Sequence, residues 1–134
     1  MTSLTGLLLK FINQRSMEIT LSQDDTVLDL KQAFVEAFSG LKLELFKKAH
    51  GDSQSSSARM RVKGVEPLAD LVTCNLPCTV KLDEAIKVSE VESAFEEQTG
   101  LHVQVFRKMR GVWIETVQTD HYTLTEQMTL SANS

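Results

Sequence analysis

Histidine and cysteine are the side chains of this 134-residue chain that could most readily supply general-base, nucleophilic or metal-binding chemistry. The histidines, His50, His102 and His121, fall in separate segments, so their spacing does not bring them together. Cys74 and Cys78 lie in C-N-L-P-C, with three residues between them where the redox motif has two. A zinc site would need about two further ligands nearby. We therefore predict no catalytic or metal site, and interpret both cysteines as reduced, buried side chains.

No glycine-rich phosphate loop, zinc-protease motif or nucleophile elbow occurs in the sequence. An enzymatic or small-ligand site at the junction of the two halves described below is the alternative that stays open, since ligand pockets favour such junctions. Its candidate residues are acidic and histidine side chains of the second half, His102, Glu115, Asp120 and His121. No cofactor is predicted.

Basic side chains concentrate in the segments predicted as strands and hairpin turns, whereas the helical segments are acidic. The candidate binding residues are basic and aromatic side chains of these strands and turns: Arg59, Arg61, Lys63, Phe106, Arg107, Lys108, Arg110 and Trp113. A basic sheet face and an acidic helix favour protein–protein contact, with a partner or between copies of the chain. The alternative is a solvated face whose charges only protect an edge strand. The net charge of −4 opposes nucleic-acid binding, and weak binding through the basic hairpins is a third hypothesis.

Phe46, Phe106 and Trp113 are out of phase with the apolar positions that face inward on the same predicted strands. Outward aromatic side chains would either form an exposed binding surface or be buried where the two halves pack. We favour burial, because aromatic side chains are mostly buried in folded proteins.

Two segments of the chain follow the same pattern, which predicts an internal duplication. Met17–Leu21 matches Cys78–Leu82 at an offset of 61 residues, and Gly40 matches Gly100 after one residue drops out near the helix end. In each copy an alternating strand precedes a helix with apolar residues at three- and four-residue spacing, and two more strands follow. The strands after the glycines are predicted at Leu41–Lys48 and Leu101–Lys108, then Arg59–Lys63 and Val112–Val117.

The ends of the predicted helices carry capping residues. Thr26 is the expected N-cap of the first helix, and Ser89 with Glu92 fits a capping box at the second. The two glycines fit left-handed C-caps. Short helical turns are expected at Pro67–Leu71 and Thr123–Gln127.

The predicted fold is α+β, with two β-α-β-β units related by pseudo-twofold symmetry and an antiparallel-rich sheet carrying the helices on one face. If Leu7–Ile12 forms a hairpin with the strand at 17–21, the first half takes the strand order of a β-grasp. Whether the strands form one sheet or two stays open. We expect one domain of two repeats, residues 7–73 and 77–127, followed by a flexible tail at 128–134.

The segment from Val103 to Gln127 resembles the C-terminal half of small uncharacterised bacterial proteins. The shared pattern is V-Q-V-F-R-K, then W-x-E-T, then D-x-x-T-L-x-E-Q, which begin here at Val103, Trp113 and Asp120. The resemblance implies a bacterial source and carries no known activity.

The hypothesis that these observations favour is a non-enzymatic protein-interaction or scaffold module, with self-association as one form of it. Apolar residues make up 42% of the chain and charged residues 24%, as in ordinary globular proteins. No apolar run approaches the ~18 residues of a membrane span, and residues 1–6 lack the basic residues of a secretory signal. We therefore expect a cytoplasmic protein without membrane contact.

Overall fold

The computed structural model describes residues 17–47 and 61–134. Within these residues the order strand, helix, strand occurs twice along the chain. The first run is β1 (Met17–Leu21), α1 (Val27–Ala37) and β2 (Leu41–Phe46). The second run is β3 (Cys78–Leu82), α2 (Val88–Thr99) and β4 (His102–Met109). The chain ends with β5 (Val112–Glu115) and α3 (Leu124–Ala132), and has short 3-10 turns at Leu68–Asp70 and Val117–Thr119. The predicted α+β class is confirmed, while the proposed strand Leu7–Ile12 lies outside the described residues.

All of the described strand pairs are antiparallel, and the strands form two sheets. One sheet pairs β1 with β3, and the other has the order β2-β4-β5. Corresponding strands of the two runs are therefore neighbours, with Ile19 opposite Val80 and Glu44 opposite Gln104. These are the residue pairs that the predicted repeat makes equivalent. The duplication and its pseudo-twofold symmetry stay predictions. In both sheets, however, a strand of the first half pairs with a strand of the second half.

The first helix begins as predicted. The Thr26 hydroxyl accepts a hydrogen bond from the Asp29 N–H, and the Asp29 carboxylate accepts one from the Thr26 N–H. The Val27 N–H donates to the Glu66 carbonyl over 2.9 Å, so the segment before the first 3-10 turn lies across the start of α1. Such a capping box satisfies N–H groups that have no partner within the helix.

The second helix begins two residues earlier than its predicted capping box implies, because its N-cap is Lys87 rather than Ser89. The box at Ser89 and Glu92 is wrong, because the Ser89 N–H donates to the carbonyl of Asp120. The Glu90 carboxylate instead accepts a hydrogen bond from the Lys87 N–H over 2.9 Å. A hydrogen bond to Asp120, which is distant in sequence, thus occupies the Ser89 N–H that the predicted capping box would have used.

The core lies between the helices and the inner faces of the two sheets. The predicted inward positions of β2 and β4 are buried: Leu41, Leu43, Leu45, Val103 and Val105. They pack with buried aromatic side chains of the helices, Phe34, Phe38 and Phe95. Burying one such side chain contributes about 1.5–3 kcal/mol, so this shared core holds the two halves together.

The C-terminal residues form a helix where the sequence predicted a short turn and a flexible tail. Residues 128–132 continue α3, and Met128 packs against the core. The Ser131 hydroxyl donates to the Lys108 carbonyl over 2.6 Å, and the Ser134 hydroxyl accepts from the Arg110 N–H. These contacts with the β4–β5 hairpin order the end of the chain. No helix of the described residues is long and apolar enough to cross a membrane.

Gly100 ends α2 in the left-handed conformation, at φ 78°, as predicted. A Cβ atom added there would meet the Thr73 hydroxyl oxygen at 2.5 Å. Gly111, in the turn between β4 and β5, has a similar φ of 81° but no atom within 4 Å of an added Cβ. A side chain at either position would strain the backbone, but only a side chain at Gly100 would also overlap a neighbouring residue.

We predict that Gly100→Ala lowers the free energy of unfolding by more than Gly111→Ala does. The left-handed conformation costs an L-residue about 1–2 kcal/mol at either site, and only Gly100→Ala adds the clash with Thr73. Urea denaturation of both variants measures the difference. Equal losses would show that the contact between Gly100 and Thr73 is not tight.

Candidate interaction face

The sheet β2-β4-β5 has a second face, directed away from the core, which we call the outer face. Alternate strand residues point to it: Lys42, Glu44, Phe46, His102, Gln104, Phe106, Lys108, Trp113 and Glu115. Arg61 joins them through an isolated bridge to Phe46 at the edge of β2. The outer face therefore combines basic and aromatic side chains around one pair of polar residues, Glu44 and Gln104.

Glu44 lies at the centre of the outer face and is only 3% exposed. Its carboxylate is 3.0 Å from the Lys31 and Lys42 ammonium groups and 3.8 Å from Nε of Arg61. Burial raises the pKa of Glu44, but the hydrogen bonds and charges of the two lysines outweigh burial and hold the pKa below its ordinary value of 4.5. Three cations thus surround one ionised carboxylate, and two positive charges remain uncompensated within the cluster.

Gln104 lies opposite Glu44 and is 1% exposed, yet neither its amide nitrogen nor its amide oxygen has a hydrogen-bond partner. A buried polar group without a partner costs about 1–3 kcal/mol. The centre of the outer face therefore carries unused hydrogen-bonding capacity beside the charged cluster.

Trp113 contributes the half-buried aromatic ring of the outer face. The Lys42 ammonium lies 4.9 Å from its ring centroid, and the Lys108 ammonium lies 5.8 Å from the same centroid. Cation–π attraction at such distances is worth about 0.5–1 kcal/mol at an exposed site. The predicted binding residues Lys108 and Trp113 are thus brought together, and they are joined by Lys42, which the sequence interpretation left out.

Phe46 and Phe106 lie on the outer face but are covered. They are 4% and 6% exposed, so the favoured interpretation that the rings are buried is confirmed for these two, and Phe106, a candidate binding residue, has little surface to offer a partner. The Arg61 guanidinium lies 5.8 Å from the Phe46 centroid and 5.6 Å from that of Phe106. In this part of the outer face the exposed group is therefore the Arg61 guanidinium, which lies over the buried rings of Phe46 and Phe106.

Arg107 points to the inner face and is only 8% exposed, which corrects its prediction as a binding residue. It is in phase with Val103 and Val105, and its guanidinium donates to the Gln127 side-chain oxygen and to the Thr119 hydroxyl. Gln127 in turn donates to the Thr119 carbonyl over 2.8 Å. Arg107 therefore fastens α3 and the second 3-10 turn to β4.

The remaining predicted binding residues lie at the margins. Lys63 is exposed beyond the edge of β2, and Arg59 lies outside the described residues. Arg110 and Gly111 form the turn between β4 and β5 with φ values of 52° and 81°, the signs of a type I′ turn, and Arg110 is exposed. Neither Lys63 nor Arg110 is part of the cluster at Glu44.

The candidates for an enzymatic site do not converge. His102 lies on the outer face with its Nδ1 3.7 Å from the Glu96 carboxylate, while the His121 ring contacts Tyr122. Glu115 lies at the end of β5, and the carbonyl of Asp120 accepts from the start of α2. No hydrogen bond or ion pair joins any two of the four candidates in the described ranges, so an acid–base pair has no structural support.

The two cysteines, Cys74 and Cys78, are free and half-buried. Burial and a hydrogen bond with Cys74 raise the pKa of the Cys78 thiol to about 11, so the nucleophilic thiolate is scarce near neutral pH. Within residues 17–47 and 61–134, no group of three or more histidine, cysteine, aspartate or glutamate side chains could hold a metal ion.

A groove of about 360 Å³ lies at the junction of the two halves, between α3 and the start of β2. Its lining is hydroxyl and apolar, from Ser39, Gly40, Thr125, Met128, Thr129, Ser131 and Ala132. It contains none of the predicted candidates and no ionisable side chain, so it offers no acid–base chemistry.

Comparison of the chain with protein-family models, with curated proteins and with solved structures found no match.

We predict that Glu44→Gln destabilises the protein by about 2 kcal/mol near neutral pH, because it removes charged hydrogen bonds and leaves the cations uncompensated. Since the pKa of Glu44 is lowered by folding, its stabilisation is fully present above 4.5 and is lost as the pH falls through the lower folded value. The difference between wild type and variant should therefore shrink in acid. Urea denaturation across pH measures it, and a difference that does not change with pH would contradict the ionised cluster.

We predict that Gln127→Ala lowers the free energy of unfolding by about 2–3 kcal/mol, because the buried Arg107 guanidinium loses an acceptor. The double variant Arg107→Met with Gln127→Leu should recover most of this loss, since two apolar side chains can replace a buried polar pair. Thermal or urea denaturation compares the two proteins. A loss below about 0.5 kcal/mol for Gln127→Ala, the usual size of a surface change, would show that the contact carries no stability.

Proposed function

We propose that this protein is a non-enzymatic interaction module whose outer face binds an acidic segment of a protein partner. The observation that carries the proposal is the surplus of positive charge around Glu44. Lys31, Lys42 and Arg61 share this single carboxylate, and Lys108 adds a fourth cation beside Trp113. A carboxylate-rich chain laid on this face would supply the missing negative charge.

The aromatic ring supports a peptide as the bound group. Trp113 is half-buried and lies beside two lysine ammonium groups, and its rigid ring offers apolar area with little rotamer freedom to lose on binding. Tryptophan and arginine, which this face presents as Trp113 and Arg61, are enriched among the residues that dominate binding at protein interfaces. The cations would pair with acidic side chains while Trp113 packs against the peptide between them.

A protein partner is favoured over a nucleic acid for two reasons. Binding of single strands depends on aromatic rings that stack with successive bases, and two of the three rings on this face are covered. The chain as a whole carries a net charge of −4, which repels a polyanion approaching from other directions. A protein partner with one short acidic segment avoids most of this repulsion, because the rest of its chain can be uncharged.

Trp113 is the single tryptophan of the chain, so its fluorescence reports directly on the outer face. Titration with poly-L-glutamate at low salt should change the emission in a saturable way, and added salt should weaken the binding. Lys108→Glu should lower the affinity about tenfold or more, because it reverses the charge beside Trp113.

Lys81→Glu is the matched control, because it makes the same charge change at an exposed position of β3 in the other sheet. It should leave the affinity within about twofold of wild type. Equal weakening by both variants would mean that only net charge matters, which would contradict a localised site. Tighter binding of oligo-dT than of poly-L-glutamate at the same salt would replace the proposal with the nucleic-acid hypothesis.

A further inference from the structure

β5 is an edge strand with little protection. Among the described strands it pairs only with β4, so its other side faces none of them. Val112 and Ile114 are 61% and 36% exposed, and its one charged residue, Glu115, is the last of the strand. Edge strands are usually blunted by charged residues or proline along their length. The segment beside β2 follows that rule, with charged Arg61 and Lys63 on either side of Val62.

The register identifies which backbone groups of β5 are available. The Lys108 N–H donates to the Gly40 carbonyl, so Lys108 directs its backbone groups toward β2. Its chain neighbours Arg107 and Met109 therefore direct their backbone groups toward β5. They lie opposite Ile114 and Val112, respectively. It follows that Trp113 and Glu115 direct their N–H and C=O groups to the free edge.

We infer that β5 pairs with β5 of a second copy of this chain, antiparallel and with the twofold axis at Trp113. Residues that direct their backbone groups to the edge must lie opposite each other in such a pair. Trp113 then lies opposite Trp113 of the second copy, and Glu115 lies opposite Gly111. This register forms hydrogen bonds with the outward N–H and C=O groups of both strands.

The side chains are complementary in the same register. On the inner side of the sheet, exposed Val112 lies opposite Ile114 of the second copy, so each covers the other. On the outer side, the two Trp113 rings become cross-strand neighbours, a pairing worth about 0.2–1 kcal/mol in sheets. Glu115 comes beside Arg110 of the second copy, so opposite charges meet at both ends of the interface. A twofold interface of this kind closes on itself and gives a dimer rather than a fibre.

The dimer joins the β2-β4-β5 sheets of the two copies into one sheet of six strands, in the order β2-β4-β5-β5-β4-β2. Both outer faces lie on the same side of this sheet, because residues that pair across strands share a face. A partner with two acidic segments could then contact both faces at once, which raises its overall affinity without any new type of contact.

Sedimentation equilibrium or light scattering of the full chain tests the inference. The mass should rise with concentration from 15.0 kDa toward twice that value. Glu115→Pro removes an outward N–H without removing a hydrogen bond to β4, so this variant should stay monomeric while its circular dichroism is unchanged. Glu115→Ala keeps the N–H and is the matched control, and it should weaken the dimer only about two- to fivefold.

A charge exchange provides a second test that does not depend on proline. Arg110→Glu and Glu115→Arg should each weaken dimerisation, and the double variant should restore it, because the charges meet only between copies. A mass of 15.0 kDa at every concentration would overturn the inference. A dimer that survives Glu115→Pro, or a charge exchange that does not restore pairing, would overturn the assignment of β5 as the interface.

Discussion

The antiparallel pairing of β1 with β3 and of β2 with β4 is the constraint on which the rest of the structure depends. Each half supplies one strand to each pair, and a two-stranded ribbon alone is marginally stable in water. A half of about 60 residues would bury only about 60% of the surface of its unfolded chain and would be marginally stable by itself. Because the helices of both halves pack on these shared strands, the halves are expected to unfold as one unit.

The outer face exists only because of this pairing. Glu44 and Gln104 come from different halves, and Lys42 reaches the rings of Phe106 and Trp113 across the boundary between them. Ionised Glu44 holds cations from a helix, a strand and an edge segment in one place, although their mutual repulsion would otherwise separate them. The surplus of positive charge around Glu44 would orient an acidic partner toward the outer face.

Local periodicity predicted much of the fold, because each strand and helix buries one face. It placed the inward residues of β2 and β4, the Thr26 cap and the Gly100 cap correctly. It also contained the signal for Arg107, which has the same phase as Val103 and Val105. Its charge led to a surface assignment, although an arginine can be buried when side chains such as Gln127 accept its hydrogen bonds.

The parts of the site that the sequence did not reveal depend on contacts between distant residues. Lys31 reaches Glu44 from α1, and the pairing of Glu44 with Gln104 follows from a register that no local pattern specifies. The start of α2 was misplaced for the same reason, since Ser89 is bonded to Asp120, more than thirty residues away. Sequence therefore identified the basic and aromatic character of the sheet, while its centre at Glu44 required the structure.

The measurement that tests the central claim most directly is a nuclear magnetic resonance titration of the labelled chain with poly-L-glutamate at low salt. The proposal predicts that the amide signals of Lys42, Lys108 and Arg61 and the Trp113 indole signal shift together, whereas those of β1 and β3 stay in place. Shifts confined to other surfaces, or none at concentrations where other proteins bind acidic peptides, would show that the outer face is a structural charge cluster rather than a binding site.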